Sequence, residues 1–324
     1  MTTVSEPRVA TWPVAPWHDW ADTIATIHMW TQIVGKIRMA KAPPQNHWWH
    51  VSLAVTARGL TTGPMPHGDR LFEIAFDFVD HRLVVTESAG RRAEIELRPM
   101  SVAAFYGELN ETLHRLDLDV SIWPYPVEVV DSIPFEQDEQ HASYERGHVS
   151  AFWAGLREAH RMLSLFRGRF IGKMSPVHFF WGGFDLAVTR FSGRTAPLHH
   201  GGVPNCPDWV MHEAYSHEVS SAGWWPLSAE LGPTYYSYMY PDPPGFDRAT
   251  TRSVLTHFNA EFGEFILPET ALAGLADPEL EILAFLQSTY ESGANRAGWD
   301  RAALETRDHA GGRARPSRGR RAIT

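Results

Sequence analysis

The sequence predicts an α+β fold of two tandem α-β-β-β-β-α units related by a pseudo-two-fold, with antiparallel sheets covered by helices. Three observations predict it. Helical and strand-like periodicities occur in the same order in two successive stretches. Short phrases recur at a nearly constant offset. Lys41-x-x-Pro44 matches Lys173-x-x-Pro176 at 132, and Leu53-Ala54-Val55-Thr56 matches Leu186-Ala187-Val188-Thr189 at 133. Pro64 with Pro197 and His67-Gly68 with His200-Gly201 keep that second offset, so one inserted residue explains the change. A proline-rich acidic segment, residues 119–143, separates the two stretches and reads as a connector. The organisation is therefore a loose N-terminus (1–11), a first unit (12–118), the connector (119–143), a longer second unit (144–299) and a basic disordered tail (300–324).

The elements follow in order. Trp20, Ile24, Ile27, Val34 and Ile37 recur at helical spacing, so Trp17–Lys41 is a helix, and Pro43-Pro44 stops it. Strands are expected at His47–Thr56, Leu71–Phe78, Arg82–Thr86 and Ala93–Leu97, with Asp80-His81 as a turn. Ser101 is placed to cap a helix carrying Val102, Phe105, Leu109, Leu113 and Leu116. A helix ending near Gly168 presents Val149, Phe152, Leu156, Leu163 and Phe166. His178–Phe191 (HFFWGGFDLAVTRF) reads as one long strand, whose Gly182-Gly183 marks a bulge or a close approach by a ligand or another backbone. Further strands are expected at Glu213–Ala222, Thr234–Tyr240 and Phe262–Leu267, with a helix around Arg248–Ala260. Asp277-Pro278 begins a last helix, and Gly293 is placed to end it.

Composition excludes several classes. Apolar content of 44% and charged content of 21% are those of a globular chain. No apolar run approaches the roughly 20 residues of a membrane span, and no signal sequence is read at the N-terminus, so cytoplasmic residence is expected. A single cysteine, Cys206, excludes an internal disulfide. The net charge of −9 argues against nucleic-acid binding by the folded core, although the six arginines from Arg307 onward make a basic tail. Thirteen tryptophans and 17 histidines point to an aromatic pocket that binds a small molecule.

The phrases IHMWTQIVGK, NHWWHVSLAVTARGLTT, SPVHFFWGGFDLAVTRFSGR, EAYSHEV, EFILP and FLQSTYE make the chain resemble a bacterial protein family, domain of unknown function 5996, from about Trp12 to Trp299. The resemblance implies a full-length family member and carries no functional residues.

Candidate chemistry rests on the residues themselves. On a strand, Glu213, Tyr215 and His217 would share a face and could form an acid–base relay. Asp185 lies among large apolar residues and needs a partner, for which Arg190 and Arg194 are nearest in sequence. His178 stands at the entrance of its strand. His28, Gln32 and Lys36 form a polar ladder on the first helix. The expected site is a cleft between the units. His178 and His217 are its acid–base residues, Glu213 and Asp185 its orienting carboxylates, and Arg190 an anion clamp. His28, Trp49, Trp181 and Tyr215 contact the ligand. A divalent metal held by His178, Glu213 and His217 is one version of this reading, and a non-catalytic ligand-binding or assembly protein is the alternative. No nucleotide-binding motif is present, and the sequence leaves a homo-oligomer open.

Overall fold

In the computed structural model, residues 17–226 and 232–306 are described. The segments assigned above to a loose N-terminus and to the arginine-rich part of the tail lie outside them. The chain begins with helix α1 (Trp17–Lys41), followed by β1 (Ala54–Val55), β2 (Gly59–Thr61), β3 (Met65–His67), β4 (Arg70–Asp77), β5 (Arg82–Glu87) and β6 (Arg92–Glu96). Helices α2 (Val102–Arg115) and α3 (Arg146–Arg167) flank the connector, and β7 (His178–Phe180) and β8 (Asp185–Thr195) follow. Then come α4 (Asp208–Ala214), β9 (His217–Trp225), β10 (Thr234–Tyr240), β11 (His257–Asn259), β12 (Glu264–Pro268), α5 (Pro278–Arg296) and α6 (Arg301–Leu304).

These strands form two antiparallel six-stranded sheets, an α+β arrangement. The first runs β1-β2-β4-β5-β6, with β3 on the same edge of β4 as β2; the second runs β11-β12-β10-β9-β8-β7. Each sheet thus has six strands where four were expected. The additional ones are two to three residues long or, as at β11, lie where a helix was expected. The edges of the two sheets meet at one bridge, in which Leu53 and Phe179 each donate to the other's carbonyl at 2.8 Å. Among the described residues, no helix is long and apolar enough to cross a membrane.

Aromatic side chains link both sheets into one core. Trp30 of α1 stacks on Phe105 of α2, which stacks on Phe76 of β4. Phe78 meets Phe152 of α3, which in turn stacks on Phe184 and Trp224 of the second sheet. The stripe expected on α3 is buried as written, since those positions recur on one face. The caps also form. Ser101 Oγ accepts from the Ala104 amide at 3.1 Å, and Asp277 Oδ1 accepts from Leu280 at 2.9 Å. Ser101→Ala should lower stability by about 1 kcal/mol in a denaturant titration; no change would mean the α2 terminus is satisfied by other groups.

Several expected elements differ. Residues 46–48 form a 3-10 turn, with His47 and Trp48 at φ 58° and 61°, so only Ala54–Val55 of the first expected strand is extended. His178–Phe191 is a hairpin instead of one strand. Residues 181–184 turn the chain, Phe184 takes φ 59°, and Phe180 pairs with Asp185. Residues 208–214 form α4, so the strand expected from Glu213 starts only at His217. Where a helix was expected around residues 248–260, a short 3-10 turn ends at Arg248 and β11 follows at His257–Asn259. Gly293 does not end α5. It lies inside the helix because a Cβ there would sit 2.6 Å from Met239 Cγ. Residues 301–306 pack on α3's C-terminal loop, where Glu305 bridges Phe170.

Candidate functional site

The second sheet has two unlike faces. Leu186, Val188 and Arg190 of β8 point toward the helical side, where α3 and α5 pack. Asp185, Ala187, Thr189 and Phe191 point the other way and, with Val219, Ser221, Tyr236 and Tyr238, floor a cavity of about 730 Å³. Its roof comes from four distant segments: α1, the 46–49 turn, the connector and the 203–215 loop with α4. The connector is therefore part of the site, contributing Trp123, Val127 and Glu128.

Asp185 receives its hydrogen bond from the Tyr236 hydroxyl. Tyr236 reaches it across Gly223 on the intervening strand β9, where a Cβ would fall 2.4 Å from that hydroxyl and from the Leu186 carbonyl. Glycine is thus required at this crossing. Burial pushes the Asp185 carboxyl up to about 6, against the opposing effect of Tyr236. A second hydroxyl pair, Tyr215 and Tyr238 at 2.7 Å, lies beside the first.

Glu128 takes φ 63°, and its amide donates to the Pro204 carbonyl at 2.8 Å. Its side chain lies over the hairpin turn. A Cβ on Gly182 would fall 2.2 Å from Glu128 Oε1, and one on Gly183 would be 3.3 Å from its Oε2 and 3.2 Å from Asp185 Oδ1. The two glycines therefore admit a carboxyl group, and both acids converge on the same turn. Glu128 is exposed and lines the cavity. The enclosing walls still solvate it poorly, and desolvation followed by the charge of Asp185 raises it to about 7.

The polar ladder of α1 is buried and organises the roof. His28 Nε2 donates to the Gly182 carbonyl at 2.8 Å, and Gln32 exchanges hydrogen bonds with the Val127 backbone at 2.7 and 3.0 Å. The ladder ends at Lys36, which is 1% exposed and lines the cavity. Its Nζ has no hydrogen-bond partner among the described residues and lies 5.0 Å from the Trp123 ring centre and 5.8 Å from that of Trp181. Desolvation lowers this amine to about 8. Across the cavity His47 donates from Nδ1 to Ala214 and accepts from Lys173 Nζ at 2.8 Å, a neutral ring held in one tautomer.

Of the residues assigned to the site from sequence, Asp185, Trp49, Trp181 and Tyr215 line the cavity. The others do not. Arg190 is fully buried on the opposite face, with its guanidinium 3.5 Å from the Phe166 ring centre and 4.3 Å from that of Tyr290, so it clamps no anion in the cavity. Nor does it pair with Asp185; Arg194 binds Glu218 instead. His178 is buried behind Trp49 and Phe180 and does not line the cavity. Its Nδ1 lies 3.0 Å from Ser52 Oγ, and burial depresses its pKa to about 3. Glu213 is exposed on α4, His217 begins β9, and Tyr215 lies between the two elements, so the three share no strand face. His178, Glu213 and His217 form no common ligand set; among the described residues no three His, Cys, Asp or Glu side chains are grouped to hold a metal. His28 supports the turn without lining the cavity.

Sequence reasoning missed Glu128, Tyr236 and Tyr238. The tyrosines had a signal, because TYYSYMY places Tyr236, Tyr238 and Tyr240 on one strand face. Glu128 had only an indirect one, the close approach that Gly182-Gly183 announces.

No curated protein and no solved structure matches the chain. Residues 12–306 match DUF5996, a family of unknown function, and the chain belongs to that family.

Proposed function

We infer that the cavity is the active site of an enzyme acting on a small polar or aromatic molecule by carboxyl acid–base chemistry. The observation that carries this reading is the convergence of Asp185 and Glu128 on one glycine turn inside an aromatic-walled cavity. Paired carboxyls that raise each other's pKa are the usual means of keeping an acid and a base together near neutral pH. Asp185, with the lower value and the tyrosine donor, is the base; Glu128, with the higher value, is the acid. Tyr215 and Tyr238 offer further donors, and the tryptophans offer stacking surface. The sequence matches that suggest a duplicated unit fit this placement, since the cavity is roofed by α1 and the 46–49 turn of the first stretch and floored by the sheet of the second.

The test is a thermal-shift screen of aromatic and hydroxylated acids, amines and esters, followed by mass spectrometry of each hit for chemical change. Turnover should peak between pH 6 and pH 7, where one carboxyl is ionised and its neighbour protonated. Asp185→Asn and Glu128→Gln should each reduce it about 100-fold or more, with ligand affinity changed far less. Tight binding of compounds that never change would replace the enzyme reading with a binding protein.

A further inference from the structure

We propose that Lys36 is a nucleophilic amine that takes an aromatic aldehyde or ketone into the cavity as an imine. The inference rests on the cavity being a small-molecule site, but its chemistry is separate from the exchange assigned to Asp185.

The chain holds 26 arginines and only three lysines, Lys36, Lys41 and Lys173. At most positions the required cation is thus an arginine, yet the buried cation of this cavity is a lysine. The difference matters chemically, because a guanidinium keeps its proton under all ordinary conditions whereas a desolvated lysine can release one. Lys36 meets the structural requirements of such a group. It is 1% exposed, lines the cavity, has no hydrogen bond to its Nζ among the described residues, and sits between two tryptophan faces. An unpaired ammonium in that position is costly to bury. A purely structural residue there would be served by methionine, or by an arginine with a carboxylate partner. The preceding Gly35 lets Trp181 lie directly against the helix, which fixes one wall beside the amine. The lowered basicity, to about 8, leaves an appreciable neutral fraction near neutral pH.

The step balances without a redox partner. The neutral Nζ lone pair attacks the carbonyl carbon, the carbonyl π electrons move to oxygen, and one of the nitrogen's two protons passes to that oxygen to give the neutral carbinolamine. The carbinolamine then loses nitrogen's proton and its hydroxyl, the latter leaving as water with a proton from a cavity acid. The product is an imine plus one water. Glu128, raised to about 7 and so partly protonated near neutral pH, is the acid placed in the same cavity.

The experiment treats the full-length protein with 4-hydroxybenzaldehyde and sodium cyanoborohydride, which converts an imine to a stable secondary amine, and maps the adduct by peptide mass spectrometry. Lys41 and Lys173, bonded to His67 and His47, are controls within the same chain. Lys36 should be trapped about tenfold faster than either, since burial lowers its basicity and its Nζ has no hydrogen bond among the described residues. Its trapping rate should peak between pH 7 and pH 8, where a fraction of the amine is neutral and a fraction of Glu128 still holds its proton, and Glu128→Gln should slow trapping at Lys36 alone. Equal labelling of the three lysines, or labelling that spares Lys36, overturns the proposal. So does saturable protection by 4-hydroxybenzoate without any trapping, which would make Lys36 an anion anchor. Loss of turnover in Asp185→Asn with no trapping at Lys36 would leave the acid–base reading standing and remove this one.

Discussion

Gly35→Ala is expected to lower stability by about 3 kcal/mol or more, a drop of roughly 5–10 °C in melting temperature for a chain of this size. A Cβ at this position would lie 2.2 Å from both Cδ1 and Nε1 of Trp181 and 2.3 Å from Cγ. The indole is 4% exposed and its Nε1 donates to the Val51 carbonyl at 2.8 Å. It cannot retreat without breaking that bond and moving the turn at residues 181–184. The same displacement would take Gly182 from His28 and disturb the recess of Glu128, so the damage should extend to any activity of the cavity. The measurement is a urea titration of the single variant, of Trp181→Leu, and of the double variant. Because the two residues are in direct contact, the effects should be strongly non-additive, with the smaller leucine absorbing much of the alanine's penalty. A change under about 0.5 kcal/mol in the single variant would mean that the ring does not rest on α1.

The second large effect concerns acid. His178 should contribute a loss of stability as pH drops from 6.5 toward 4. Ser52 donates to the Trp49 carbonyl, so its oxygen accepts from His178 Nδ1–H, and the unprotonated Nε2 is buried with no hydrogen-bond partner among the described residues. Phe180 and Trp49 present their rings to this imidazole, and the charge of Arg38 adds to the dominant effect of burial. The sign follows from the folded pKa of about 3 lying below the ordinary value of 6.5. The unfolded chain binds a proton that the folded chain refuses, so the stabilisation is complete above 6.5 and is lost as pH falls toward 3. By pH 4 this is about 3 kcal/mol. His28, lowered to about 4 by burial, acts in the same direction. Asp185, Glu128 and Glu264 act oppositely. Their raised values mean that the folded state holds protons more tightly, so they favour folding as pH falls from about 8 to about 4. His178→Asn, which retains a donor for Ser52 but cannot be charged, isolates the histidine. The variant should gain about 3 kcal/mol relative to the parent chain between pH 7 and pH 4, measured by denaturant titration at each pH. Parallel stability curves for the two proteins would place the acid sensitivity elsewhere.

Local physics made several elements legible in the sequence. Helices α1, α2, α3 and α5 follow from apolar spacing and from caps that act within one turn, as at Ser101 and Asp277. The alternation along β8 placed Asp185, Ala187 and Thr189 on a face apart from Leu186 and Val188, because side chains on a strand alternate whatever the strand packs against. Periodicity failed where a few residues with positive φ turned the chain, at His47-Trp48 and at Phe184, and where an apolar run was divided between a short helix and a strand, as at residues 208–225.

The site was decided by contacts that no local pattern encodes. Asp185 showed in the sequence as a carboxylate in need of a partner, yet its partner is Tyr236, 51 residues away and reachable only because Gly223 leaves a gap on the strand between them. Arg190 and Asp185 are close in sequence but on opposite faces of β8, so the strand's own alternation keeps them apart. The sequence by itself determined which residues would face which way on α2, α3 and β8. Only the tertiary structure decided which faces would meet, since that depends on how α1, the connector and α4 close over the second sheet, and on glycines that allow Glu128 and Trp181 to approach where any larger residue would hold them off.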